Sequence, residues 1–273
     1  MTNLRGFFGR RADRRRTTDA ELAMAVDLDF SECVEGIRGA LAGFVSYARK
    51  AGLEAAVPTA PEWNLRQLIA HQGMVHRWAV ANLHGKPAET AAYEAEGRDV
   101  ADPVTWLHEG GQRLIKALQG SPEDLEAKVF LNDAPAPRQF WARRQCHETT
   151  IHSVDALAAS LGRVPRASET EITREIALDG IDELLNGFHT REKSRLRTES
   201  PTTFAVRPTD VDRSWLVRVS SEPAVVERDV HVHADVVLEA SAEALYLALW
   251  NRTDEVTADG IELWRDVARV TWA

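Results

Sequence analysis

Glu148 and His152 stand four residues apart in a segment whose apolar spacing is helical. At about 100° per residue they fall within ~40° of each other on one helical face. A carboxylate and an imidazole stacked this way can ligate one ion, and a third ligand from another helix would leave an open coordination place, the arrangement of a catalytic zinc site. An ordinary solvent-facing Glu–His pair has the same spacing, which is common by itself. Asp155, on the same arc as Trp141, Gln145 and Ala159, could hold the ring of His152 or lie on the surface as a lone carboxylate. Candidate third ligands sit on an earlier helix, at His71, His76 and His84. The apolar stripe there is Leu65, Leu68, Ile69, Ala79, Val80 and Leu83, with His76 in its middle and His71 on its shoulder, near Met74, Val75 and Trp78. Phase alone chooses His76 as the inward histidine. An inward histidine is more often a satisfied core residue than a ligand, so periodicity leaves the third ligand open.

Four helical segments must position these groups. The first spans about 30–51, with Gly52 as a natural stop. The second begins after Asn64, a good N-cap, and reaches about 84, before Gly85. The third opens with Asp102-Pro103 and ends near 119–120. The fourth runs from about 137 to 161 and is closed by Gly162. Together they predict an antiparallel four-helix bundle, with a long connection over 86–101. A fifth helix near 172–189 leads out of it, followed by a charged, unpatterned stretch at 191–200. The period then changes to two. Phe204 and Val206 alternate with polar neighbours, as do Trp215, Val217 and Val219, and then Val230, Val232, Ala234, Val236 and Leu238. This pattern predicts half-buried strands of an antiparallel sheet. A helix from Ser241 and a last piece at 261–272, a short helix with room for a final strand, complete an α+β chain.

Composition bounds the function classes. The chain has 273 residues, 44% of them hydrophobic, enough for a packed core in one large or two modest domains. Its net charge of −9 argues against a general nucleic-acid binder, which needs a basic face. No apolar run reaches the ~18–20 residues of a membrane span. Cys33 and Cys146 form no CxxC or zinc-finger spacing and suit a reducing cytoplasm. Arg5, Arg10, Arg11, Arg14, Arg15 and Arg16 crowd the N-terminus without an apolar h-region, which predicts a solvated arm at 1–19 and no secretory signal; an arm for an anionic partner is the sharper alternative.

Residues 58–71, Pro-Thr-Ala-Pro-Glu-Trp-Asn-Leu-Arg-Gln-Leu-Ile-Ala-His, resemble the entry to the metal-binding helix of the mycothiol-dependent maleylpyruvate isomerase family, within the DinB-like metalloenzyme superfamily. Residues 143–156 resemble its second signature, His-Glu-x3-His with a following Asp, and 234–238, 241–252 and 264–272 resemble its small α/β domain. The resemblance covers about 28–273. It implies a DinB-like bundle at 20–190 followed by a small C-terminal α/β domain at 200–273. It implies that His71, Glu148 and His152 ligate a divalent metal, zinc being the expected ion, with water in the open place, and that His76 is packing. It points to Arg252, within Trp250-Asn251-Arg252, as the pocket arginine that could fork onto a substrate carboxylate; a cation complementing a helix C-terminus is the equal alternative. The implied activity uses mycothiol or a similar thiol on an electrophilic small molecule, by cis–trans isomerisation or S-transfer. Partners are then that thiol and substrate, with neither nucleic acid nor membrane. Cys146, about 200° around the helix from Glu148, is a poor nucleophile. A metal-dependent hydrolase, or a non-catalytic binding or regulatory protein that keeps the metal for stability, are the alternatives. The arginine-rich arm and the polar segment at 94–99 depart from the family pattern.

Overall fold

The computed structural model describes residues 28–270; the arm at 1–19 and the end of the last piece, Trp272 included, lie outside the described residues. Helix α1, Phe30–Ala51, opens on a capping box in which Asp29 accepts from the Glu32 amide and Glu32 accepts from the Asp29 amide, both at 2.8 Å. It stops at Gly52, whose φ of +83° few other residues adopt. Helix α2, Leu65–Leu83, repeats the device with Asn64 and Gln67. Helix α4, Pro103–Gly120, and helix α5, Pro137–Leu161, both carry proline in the first turn. These four pack as the bundle: α1 along α5, α2 against α4 and α5, and α1 against α4.

The expected long connection at 86–101 instead holds a further helix, α3, Thr90–Asp99, seated on α2 and α4. Its sequence is polar, so no apolar stripe announces it. What docks it is a close approach. A Cβ at Gly97 would lie 2.7 Å from the Trp106 ring, and one at Gly73 of α2 would lie 2.0 Å from the same ring. The indole fits between two backbones, with the Arg77 guanidinium 3.5 Å over its centroid.

Helix α6, Arg174–Asp182, continues as a wider π-helical turn over Glu183–His189. Strands β1 (Thr202–Pro208), β2 (Trp215–Val219), β3 (Val225–Arg228) and β4 (Val236–Ala240) form one sheet in the order β3-β2-β1-β4. The sheet is mixed, not purely antiparallel: β4 runs parallel to β1, with Phe204 opposite Val236 and Pro208 opposite Ala240. The chain between β3 and β4 crosses to the far edge of the sheet, so the alternation at Val230, Val232 and Ala234 belongs to the crossing. Ala234 and Val230 pack on Ala205 and Leu216, while Val232 is exposed. Period-two spacing records which side of an extended chain is covered; it carries no strand direction. Helix α7 (Ala242–Leu249) packs on α6, and helix α8 (Ile261–Val267) follows, with no strand over 268–270.

One buried cluster runs from Ile37, Trp141 and Cys146 through Leu185 and Phe188 to Phe204, Trp215 and Trp264, so bundle and sheet share a core. A second, around Leu41, Phe44, Leu65 and Leu68, closes the other end of the bundle. Helix α5 is the axis between them. Every residue from Phe140 to Ala159 is buried, and half of these are polar or charged. A helix buried all round is normally apolar, so each polar group on α5 needs a partner that only the fold can supply. Among the described residues no helix is long and apolar enough to cross a membrane.

Candidate metal centre

The imidazoles of His71, on α2, and His152, on α5, meet the Glu148 carboxylate in one place. One ligand atom from each lies within 4.8 Å of the others. Oε1 of Glu148 is 3.3 Å from Nε2 of His152 and 3.7 Å from Nε2 of His71. This oxygen is buried and takes no hydrogen bond among the described residues. The two histidine rings stand edge to face at 5.1 Å, and Trp63, from the loop before α2, lies 4.9 Å from the His71 ring and 6.1 Å from the His152 ring.

The outward atoms of the same groups are held. Nδ1 of His152 is 2.9 Å from Oδ2 of Asp155, a carboxylate that can only accept, so Nδ1 donates and Nε2 is the nitrogen turned toward Glu148. Asp155 is in turn held by the Thr59 hydroxyl at 2.6 Å and by Arg252, whose Nε donates at 2.7 Å and Nη2 at 3.1 Å. Nη1 of Arg252 also donates to the Trp250 carbonyl at 2.7 Å, at the end of α7. Arg252 thus clasps the aspartate that orients His152 and also caps a helix end. Oε2 of Glu148 accepts from Arg144 Nη2 at 3.0 Å, and Arg144 Nη1 is in close contact with Glu183 on the π-helical turn.

Burial by itself would push the Glu148 carboxyl up, but contact with the His152 and His71 imidazoles and the Arg144 charge outweigh it and hold the group well below the usual carboxylate range. Burial would lower His152, yet Asp155 and Glu148 raise it to about 9. Both shifts say that the space between these groups favours positive charge. Two imidazole nitrogens, a carboxylate oxygen without a hydrogen bond and a favourable field fit a divalent cation.

The cluster forms part of the floor of a pocket of about 850 Å³, walled by Trp63, Met74, Phe188 and Trp250, with Glu94, Arg195 and Arg269 at its edge. Glu94 comes from α3, so the polar segment that departs from the family pattern reaches the pocket wall. Among the described residues lining it, none is Cys, Ser, Lys or Tyr. Cys33 and Cys146 are buried elsewhere; burial pushes the Cys146 thiol up to about 12 and the Cys33 thiol higher.

His76 lies in the core, its Nε2 2.8 Å from the Gln72 amide and 3.1 Å from the Thr149 hydroxyl. Sequence reasoning missed Trp63, Thr59 and the Arg144–Glu183 pair. Arg144 was within reach, since it precedes Glu148 by four residues on one helix face. The others come from distant elements and leave no periodic trace. His147, next to Glu148, was missed too; it points away and meets Asp179 at 2.6 Å.

Family comparison gives two matches in tandem. The model described as the mycothiol maleylpyruvate isomerase N-terminal domain matches residues 34–157, and that of the corresponding C-terminal domain matches 175–270. No curated protein matches the chain. Two solved structures are similar in fold. The crystal structure of the mycothiol-dependent maleylpyruvate isomerase is 18% identical with a TM-score of 0.56, covering 85% of this chain and 93% of that one. A histidine-to-alanine mutant of that isomerase is 19% identical with a TM-score of 0.54 and the same coverage.

Proposed function

The chain belongs to the mycothiol-dependent maleylpyruvate isomerase family, an enzyme family, and on that premise we propose that it is a metal-dependent enzyme using a low-molecular-weight thiol on an electrophilic small molecule. One observation carries the reading: two imidazoles and a carboxylate converge on the floor of a pocket whose described lining holds no Cys, Ser, Lys or Tyr and whose one hydroxyl, that of Thr59, is committed to Asp155. The attacking group then has to enter with a cosubstrate. Mycothiol or a close analogue is the expected thiol, and cis–trans isomerisation of a maleylpyruvate-like substrate, or S-transfer to it, the expected reaction.

His71, Glu148 and His152 would hold the ion, with zinc the expected metal. A divalent ion bound there supplies a Lewis-acid site that makes thiolate available near neutral pH, where a free thiol with a pKa of about 8.5 is mostly protonated. The residues of the chain do the rest. Asp155 fixes the His152 ring, and Arg252 and Thr59 fix Asp155. Arg144 holds one Glu148 oxygen so that the other faces the histidines. Arg252 keeps N–H groups beyond these contacts and lines the pocket, where they can receive a substrate carboxylate. Trp63, Phe188 and Trp250 narrow the water around the reacting atoms. In the isomerisation, thiolate addition to the conjugated double bond leaves a single bond; rotation about it and expulsion of the thiolate give the trans isomer. Two reduced cysteines fit a cytoplasmic setting.

The test is elemental analysis of the purified protein, then turnover of maleylpyruvate with and without mycothiol. Stoichiometric divalent metal and a rate that rises from background with thiol are expected. Thiol-independent cleavage of an ester or amide would move the reading to a hydrolase, and metal without turnover of any electrophile to a binding protein.

A further inference from the structure

On another face of α5, turned from the ion-binding cluster, lies a groove of about 500 Å³ that this function does not use. Gly39, Ala40 and Gly43 of α1 line one side, Val154 and Leu157 of α5 the other, and Ile172 its far wall. Four carboxylates border it, those of Glu32, Glu35, Glu171 and Glu175, all exposed. Leu28, the first described residue, lines one end. It is anchored there, its amide donating to Asp179 Oδ2 at 3.1 Å and its carbonyl accepting from Gln139 at 2.7 Å. The chain therefore enters the fold at the mouth of the groove.

The glycines of α1 differ in what they serve. A Cβ at Gly36 would lie 2.4 Å from the Cys146 sulfur, and one at Gly43 3.1 Å from the Ser153 hydroxyl, so these two let α1 approach α5. A Cβ at Gly39 would meet nothing within 4 Å. A glycine inside a helix weakens it, and no described neighbour gives this one a packing reason.

The sequence before Leu28 has the complementary chemistry. Leu22, Ala23, Met24, Ala25 and Val26 form an apolar run, and six arginines lie among the first 16 residues. We propose that residues 1–27 fold back along α1 into this groove, with the apolar run on Gly39, Ala40, Val154 and Leu157 and the arginines against the glutamates of its rim. The reach is sufficient. From Glu32 to Tyr47 the groove follows α1 for about 22 Å at 1.5 Å per residue, which about seven extended residues span. Tethering at Leu28 keeps the arm at high effective concentration over the groove, so weak contacts suffice. The apolar face of the two helices that carry or support the site is then covered by the chain itself.

Amide hydrogen exchange on the full chain tests this. Residues 20–27 should exchange roughly tenfold or more slower than the same sequence as a free peptide. Gly39→Trp, at a position where an added Cβ meets nothing within 4 Å, puts an indole into the groove and should abolish that protection with the helical circular dichroism unchanged. Glu35→Arg with Glu171→Arg, which leaves the packing alone, should weaken the protection, as should 1 M salt. Free-peptide rates at 20–27 in the unaltered chain overturn the proposal, as does protection that survives both variants. Protection that grows with protein concentration assigns the groove to a second copy, and protection that needs anionic vesicles or duplex DNA assigns the arm to that partner. Either also overturns it.

Discussion

His152 and His147 sit on the same helix, each within hydrogen-bond distance of an aspartate that an arginine also grips, yet only one of them opens on a cavity. His152 leans on Asp155, held by Arg252. His147 leans on Asp179, held by Arg143 Nε at 2.7 Å, while Asp179 also takes the Leu28 amide. The difference lies at the other ring nitrogen. That of His147 faces the Tyr246 hydroxyl at 3.3 Å, and Gly180 packs so closely that a Cβ there would lie 2.4 Å from the Tyr246 ring. That of His152 faces the Glu148 carboxylate and the His71 ring at the pocket floor. A His–Asp–Arg set is therefore a structural tie where a neutral hydroxyl and tight packing close it. It is a candidate ligand where lone pairs and space meet its last nitrogen. Residue types alone do not distinguish the two.

The largest expected effect falls on the sealed set. Asp179→Ala leaves the Arg143 charge buried without its main partner and should cost about 3–5 kcal/mol in urea unfolding, with metal per folded molecule unchanged; lost metal would merge the two sets into one. Next, His152→Ala or His71→Ala should weaken metal affinity by more than ~100-fold, more than loss of a group supporting a ligand usually does, with helical circular dichroism largely retained. Chelator competition matching the unaltered protein would end the ligand assignment. Third, Arg252→Ala and Asp155→Asn should each weaken metal affinity by about 10–100-fold through the orientation of His152, whereas His147→Gln should leave it unchanged.

The smallest effect is a pH dependence in the sealed core. Burial, with some help from Arg191, lowers His189 to about 3. Such a histidine stays neutral in the fold while the unfolded chain takes up a proton near pH 6.5. Its effect is absent above pH 6.5, and stability falls as pH drops below that, by about 1.4 kcal/mol per unit. His189→Gln should therefore lose about 1–2 kcal/mol less than the unaltered chain between pH 6.5 and 5 in urea unfolding. Equal slopes for the two proteins would show that other groups carry the acid sensitivity.

The bundle helices were legible because each carries local signals: a cap such as Asn64, a first-turn proline such as Pro103 and a stop such as Gly52. Helix α3 was not, because it is docked by two glycines against Trp106, a contact between segments. The strands were legible as strands. The parallel pairing of β4 was not, because alternation at Val236 and Leu238 is the same for either direction.

At the candidate site, the Glu148–His152 couple follows from four-residue spacing on a helix, and so does Arg144 at the next turn. The choice between His71 and His76 does not, because both are on the buried side of α2 and differ only in what stands opposite. By itself the amino-acid order determined the helix ends, the strand periods and which side chains share a face, since these depend on neighbours within a few residues. Which imidazole meets Glu148, which aspartate is sealed and where the pocket opens were decided by the packing of α2, α5 and α7, because those contacts join residues far apart in the chain, such as Asp155 and Arg252.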